Sequence, residues 1–176
     1  ATSTLDLDGT ATASTTNAGG DASADAETDG VSAIEASTTT AAGAATLSGT
    51  AQVDLVADAD SVNTAADANA NTTGSQVGVD VLTTLDVEGD LSVTGRIGAT
   101  ADVDADTTTG DAGAYAAVDG MSGIVAADVD GANVTLDGDA VLNQNASATT
   151  TTGAATADVD QDGQVSGFKS SRDTDA

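Results

Sequence analysis

The chain is 176 residues long and carries 29 acidic residues against 3 basic ones, with no Cys, His, Pro or Trp. That inventory removes thiolate nucleophiles, zinc, haem and iron–sulfur ligation and every His-based triad. A net charge of −26, relieved only by Arg96, Lys169 and Arg172, excludes nucleic acid as a partner, and no apolar run is long enough for a membrane-spanning helix.

Apolar and polar residues alternate with period two through much of the chain, the pattern of half-buried β-strands. In residues 1–14, Leu5, Leu7, Ala11 and Ala13 face one way while Asp6, Asp8, Thr10 and Thr12 face the other. This stretch is expected to be an extended N-terminal strand, ending at the loop Asn17-Ala18-Gly19-Gly20, with residues 15–176 forming a single all-β domain. Residues 45–59 alternate likewise, with Leu47, Ala51, Val53, Leu55, Ala57 and Ala59 inward. From Val77 to Ala105 the odd positions are apolar or Gly, apart from Thr83.

Asp–Gly pairs punctuate these stretches at Asp8-Gly9, Asp29-Gly30, Asp119-Gly120, Asp130-Gly131, Asp137-Gly138 and Asp162-Gly163. Both residues tolerate positive φ, so the dipeptide favours the tight primed turns of antiparallel hairpins. Thr runs at 38–40, 107–109 and 149–152 read as loops or strand ends. The expected fold is therefore all-β, an antiparallel β-sandwich or jelly roll with an extended N-terminal strand; the alternative is an irregular β-solenoid. Inward positions filled by Ala and Val imply a thin core with closely approaching sheets, or one completed by another chain.

Two internal repeats are visible. Thr4-Leu5-Asp6, Thr46-Leu47-Ser48, Thr84-Leu85-Asp86 and Thr135-Leu136-Asp137 recur at unequal intervals, which argues against a solenoid with fixed rungs. A second theme joins Asp29-Gly30-Val31-Ser32, Asp119-Gly120-Met121-Ser122 and Asp162-Gly163-Gln164-Val165-Ser166.

The segment Asp158-Val159-Asp160-Gln161-Asp162-Gly163-Gln164-Val165 resembles the opening of the calcium loops of EF-hand and dockerin proteins, in which alternate carboxylates converge on a hard cation. The resemblance implies Ca2+ as cofactor and Asp158, Asp160 and Asp162 as ligands. It departs from the family at Lys169, where a bidentate acid belongs, and in lacking flanking helices. Asp102, Asp104 and Asp106 form a second candidate metal group, since alternate residues of one strand share a face. The sequons at Asn71, Asn133 and Asn145 are candidate glycan sites. No catalytic residue is expected, because a glycosidase-like acid pair would need aromatic platforms and Tyr115 and Phe168 are the whole supply.

The N-terminal strand, through Leu5, Leu7, Ala11 and Ala13, is similar in pattern to the donor strands of extracellular pili and threads, which insert into a neighbouring subunit's sheet. That likeness implies a homopolymer. A chain beginning at Ala1 without a leader is expected to be a mature export product. Its −26 charge suits high salt, where the Debye length shrinks to about 3 Å and self-repulsion fades. The expected function is a non-enzymatic structural subunit of an extracellular filament, pilus or matrix fibre, polymerising by strand addition, with a cell surface or matrix as a further partner. A calcium-binding adhesion or surface-layer module is the alternative, and an ice- or mineral-binding β-protein the third.

Overall fold

Ten strands and no helix make up the computed structural model, which describes residues 2–15 and 20–170. They are β1 (Thr2–Thr15), β2 (Ala22–Thr28), β3 (Val31–Ala41), β4 (Ala45–Ser61), β5 (Ala66–Thr72), β6 (Gln76–Thr109), β7 (Ala112–Val118), β8 (Met121–Thr152), β9 (Ala155–Gln161) and β10 (Val165–Ser170). The all-β expectation is met, but the antiparallel sandwich or jelly roll is overturned. Every strand pairing is parallel. One sheet has the order β2-β5-β7-β9; the other runs β1-β4-β6-β8-β10, with β3 also on β6. Each step from a strand to its partner advances the chain by 43 to 46 residues, so the polypeptide winds in stacked coils.

The long strands β6 and β8 bend partway. Residues 76–87 of β6 lie beside β3, and residues 91–107 lie beside β4. The large sheet is thereby folded into two limbs. Register shifts at the bend, between Val81/Thr84 and Val87/Asp90, absorb the change of direction.

Period-two alternation is common to parallel and antiparallel strands, so the inward set was legible although the pairing was not. Val79, Val81, Leu85, Val87, Leu91, Val93, Ile97, Ala99, Ala101, Val103 and Ala105 are all buried. Large and small residues alternate in some columns, as in Leu5, Ala51, Ile97 and Ala140, whereas Ala13, Ala59, Ala105 and Ala148 form a column of small residues only. Gly9 leaves room for Leu55 of the next coil, whose Cδ2 would lie 2.7 Å from an added Cβ. The small sheet presents Ala columns (Ala22, Ala66, Ala112, Ala155 and Ala24, Ala68, Ala114, Ala157), which let it sit close against β4 and β6.

The core is divided in two. One cluster packs the small sheet against the limb carrying Val53, Leu55 and Val103; the other joins the two limbs through Val79, Leu85, Leu91 and Ile124. Between them the limbs touch backbone to backbone at facing glycines. Gly49, Gly95 and Gly138 form one column, opposite Gly78, Gly123 and Gly167. A Cβ on Gly123 would meet the Gly95 oxygen at 2.6 Å and the Gly167 oxygen at 2.7 Å.

The Asp–Gly pairs do not make hairpins. Gly9, Gly131 and Gly138 lie inside strands, and Gly163 is the only glycine of the six pairs with positive φ among the described residues. No described non-glycine residue has positive φ, whereas a type I′ turn needs it at both central positions. Asp29 and Asp119 of these pairs, together with Asp21 and Asp111, serve instead at the coil corners. Asp21 accepts from the Ala65 amide (3.3 Å), Asp111 from the Ala154 amide (2.9 Å), Asp119 from the Gly74 amide (2.7 Å), and Asp29 from the Thr73 hydroxyl (2.6 Å). Each bond joins one coil to the next, a role that suits a short carboxylate. The Thr runs end β3, β6 and β8.

Of the two repeats, the second is the structural one. Val31, Gln76, Met121 and Val165 form a single column, with Ser32, Val77, Ser122 and Ser166 beside it. The Thr-Leu motifs do not stack: Leu5 pairs with Ala51, Leu47 with Val93 and Leu85 with Val129. Unequal spacing misled because the Thr-Leu motifs mark no common position on the coil, whose length stays between 43 and 46 residues.

Candidate functional site: the acidic face and the coil ends

Two regions gather most of the residues singled out from sequence. The first is the outward row of β4 and β6. Register sets Asp58 beside Asp104 and Asp60 beside Asp106, with Asp102 between Val56 and Asn145. Adjacent strands lie about 4.8 Å apart, so carboxylates stack across the sheet as well as alternating along it. Partial burial, and then Asp60, Asp104 and Asp106 nearby, raise the Asp58 carboxyl above its ordinary range. Val56, Asp58, Asp102, Asp104, Asn145 and Ser147 line a shallow open depression here. The Asn145 amide donates to Asp102 at 2.8 Å, and Asn133 donates to Asp90 at 2.6 Å.

Asp158 and Asp160 sit on exposed β9, and Asp162 follows at the corner. An extended strand holds alternate carboxylates roughly 6 to 7 Å apart on one face, unlike a loop that folds them round an ion. Among the described residues no group of three or more acids is gathered for a metal. Asp160 accepts from the Tyr115 hydroxyl at 3.4 Å. Burial first, and then the charge of Asp160, raises the Tyr115 phenol. Lys169, standing where the calcium-loop resemblance wants an acid, borders a corner depression with Asp119 and Asp162. Of the sequons, Asn133 and Asn145 are exposed and Asn71 is half-buried on β5.

The second region is the pair of coil ends. β1 is the end strand of its sheet, paired in parallel with β4 of the same chain. Leu5, Ala11 and Ala13 are half-buried against the core; Leu7 pairs with Val53 through the backbone, and its side chain lies outside the described residues, as do Ala1, the loop residues Asn17, Ala18 and Gly19, and Arg172. At the opposite end the inward row is open to solvent. Val134 is 42% exposed, Val159 48% and Phe168 45%, although their partners Leu91, Ala116 and Ile124 one coil back are buried. Gln144 spans part of this end, donating to the Asp160 carbonyl at 2.6 Å.

Sequence reasoning missed the coil ends because edge exposure depends on which strands pair. The signal that could have found them is the column Val31, Gln76, Met121, Val165, whose near-constant spacing gives the coil length. No described helix is long and apolar enough to cross a membrane. Comparison with protein families, characterised proteins and solved structures finds no match to this chain.

Proposed function

We propose that this chain is a structural subunit of an extracellular filament, pilus or matrix fibre, assembled by adding strands at the coil ends. The observation that carries the reading is the open terminal coil, which presents Val134, Leu136, Val159 and Phe168 to solvent in a row that is buried one coil back. Parallel strands with unpaired edges accept further strands through backbone hydrogen bonds. The acidic outer rows keep such a fibre soluble and restrict assembly to high ionic strength. The role is non-enzymatic.

Sedimentation and electron microscopy in about 2 M KCl, with and without chelator, test it. Long uniform fibres that survive chelation are expected; a monomer under every condition refutes the reading. A second reading, a calcium-stiffened adhesion or surface-layer module, draws on the crowding of Asp58, Asp60, Asp104 and Asp106, whose mutual repulsion a divalent cation would relieve. Loss of fold on chelation, without any polymer, would favour it.

A further inference from the structure

We propose that the open C-terminal coil is occupied by the N-terminal coil of a second copy, in the same register that joins successive coils inside the chain; this rests on the filament reading above and names its junction. The internal pairings define what that register brings together. Glu35 pairs with Asp80, Asp80 with Val125 and Val125 with Lys169. One further step places Lys169 of one copy beside Glu35 of the next.

Among the described residues neither Glu35 nor Lys169 has an ion-pair partner. Arg96 is paired with Asp137 (3.1 Å) and Asp139 (3.4 Å), but Lys169 makes no ion pair among the described residues. Glu35 instead adjoins Asp80, whose carboxyl is raised by burial and then by Glu35 itself. A cation on the far side of Glu35 relieves that repulsion. The same step sets exposed Phe168 against Ile34, a half-buried member of the limb core, and Val165 against Val31. On the small sheet it sets Val159 against Ala26, extending the column Ala26, Ala70, Ala116, Val159. Apolar residues thus meet apolar ones, and the one described cation free of an ion pair meets an acid.

The junction also carries a built-in constraint. Inside the chain the outward row of the small sheet separates its acids, Asp25 being followed by Asn69 and Tyr115 before Asp158. Across the junction Asp158 stands beside Asp25, and Asp160 beside Glu27. Two stacked like-charge pairs oppose assembly in dilute buffer and are screened at about 1 M salt. The contact uses different surfaces on the two copies and repeats by translation along the coil axis, so it propagates without closing.

The test is a charge exchange measured by sedimentation velocity and electron microscopy across protein concentration, at about 0.1 M and 2 M KCl, with far-UV circular dichroism confirming the monomer fold. Wild type is expected to polymerise only at the higher salt. At the lowest salt that supports wild-type assembly, found by stepping KCl between those limits, Lys169→Glu and Glu35→Lys should each raise the concentration needed for assembly roughly threefold, the double exchange should restore it to near wild type, and the differences should shrink at about 2 M KCl. Fibres that form but ignore both reversals overturn this junction and leave the filament reading standing. A closed dimer overturns it as well. A wild-type monomer at every concentration and salt overturns the filament reading and the junction with it.

Discussion

Replacing Gly123 by Ala tests the backbone contact between the two limbs. The new Cβ would lie 2.6 Å from the Gly95 oxygen and 2.7 Å from the Gly167 oxygen, with the Asp139 amide nitrogen closer still. Ordinary van der Waals contact begins near 3.4 Å, so each carbonyl must recede by about 0.7 to 0.8 Å. Both belong to hydrogen-bonded strands, and neither is the free end of a flexible side chain. Overpacking of this kind costs about 1 to 3 kcal/mol where side chains can yield, and more where they cannot. Gly→Ala in extended backbone returns about 0.5 to 1 kcal/mol through the unfolded state. The net expected loss is about 2 to 4 kcal/mol. For a chain of this size that lowers the melting temperature by roughly 4 to 16 °C. The control is Gly43→Ala, where an added Cβ meets nothing within 4 Å. It should be neutral or stabilising by up to about 1 kcal/mol. Both variants would be followed by urea and thermal unfolding in high salt, using far-UV circular dichroism. An unchanged midpoint for Gly123→Ala, or equal losses for the two variants, would refute the argument. Because stacked coils unfold as coupled neighbours, a lower urea slope in Gly123→Ala would further show the two core clusters parting company.

Gln76 is fully buried, its Oε1 has no hydrogen-bond partner among the described residues, and its Nε2 donates to the Gly74 carbonyl at 3.2 Å. Gln76→Met removes the unpartnered acceptor and places a thioether beside Met121 in the same column, so a gain of about 1 kcal/mol is expected in urea unfolding; a loss would show that the polar head is needed. Asp58 has a folded-state carboxyl raised by burial and by Asp60, Asp104 and Asp106. A raised folded value means that stability from this group is present at acid pH and declines as the pH rises through and above the ordinary carboxylate range, about pH 4. Asp58→Asn should therefore raise the melting temperature at pH 7; the part of the gain due to Asp60, Asp104 and Asp106 should fade at about 2 M KCl while the part due to burial persists, and no gain at either salt would contradict the reasoning.

Residue periodicity alone settled that this chain is made of strands, and it settled which residues of β4 and β6 face inward, because a pleated strand turns successive side chains to opposite faces whatever its partner. That Asp21, Asp111 and Asp119 accept amide hydrogen bonds at the coil corners was not legible, because each partner amide belongs to the neighbouring coil. Pairing direction was not legible. Asp29-Gly30 and Asp119-Gly120 read as hairpin turns, yet a corner between parallel coils uses the same small, polar residues without reversing the chain. Nor could spacing alone show what the glycines are for, since Gly95 and Gly123, 28 residues apart, are defined by touching one another across the folded sheet. The candidate sites divide along the same line. Asp102, Asp104 and Asp106 share a face by strand geometry, which sequence supplies. That Asp58 and Asp60 stand beside them, and that Lys169 ends a column begun by Glu35, follows from a coil of 43 to 46 residues. The column Val31, Gln76, Met121 and Val165 carries that number in the sequence, but only the tertiary structure shows that its members stack in parallel, because the direction of pairing is set by the packing of whole coils and not by the residues of one strand.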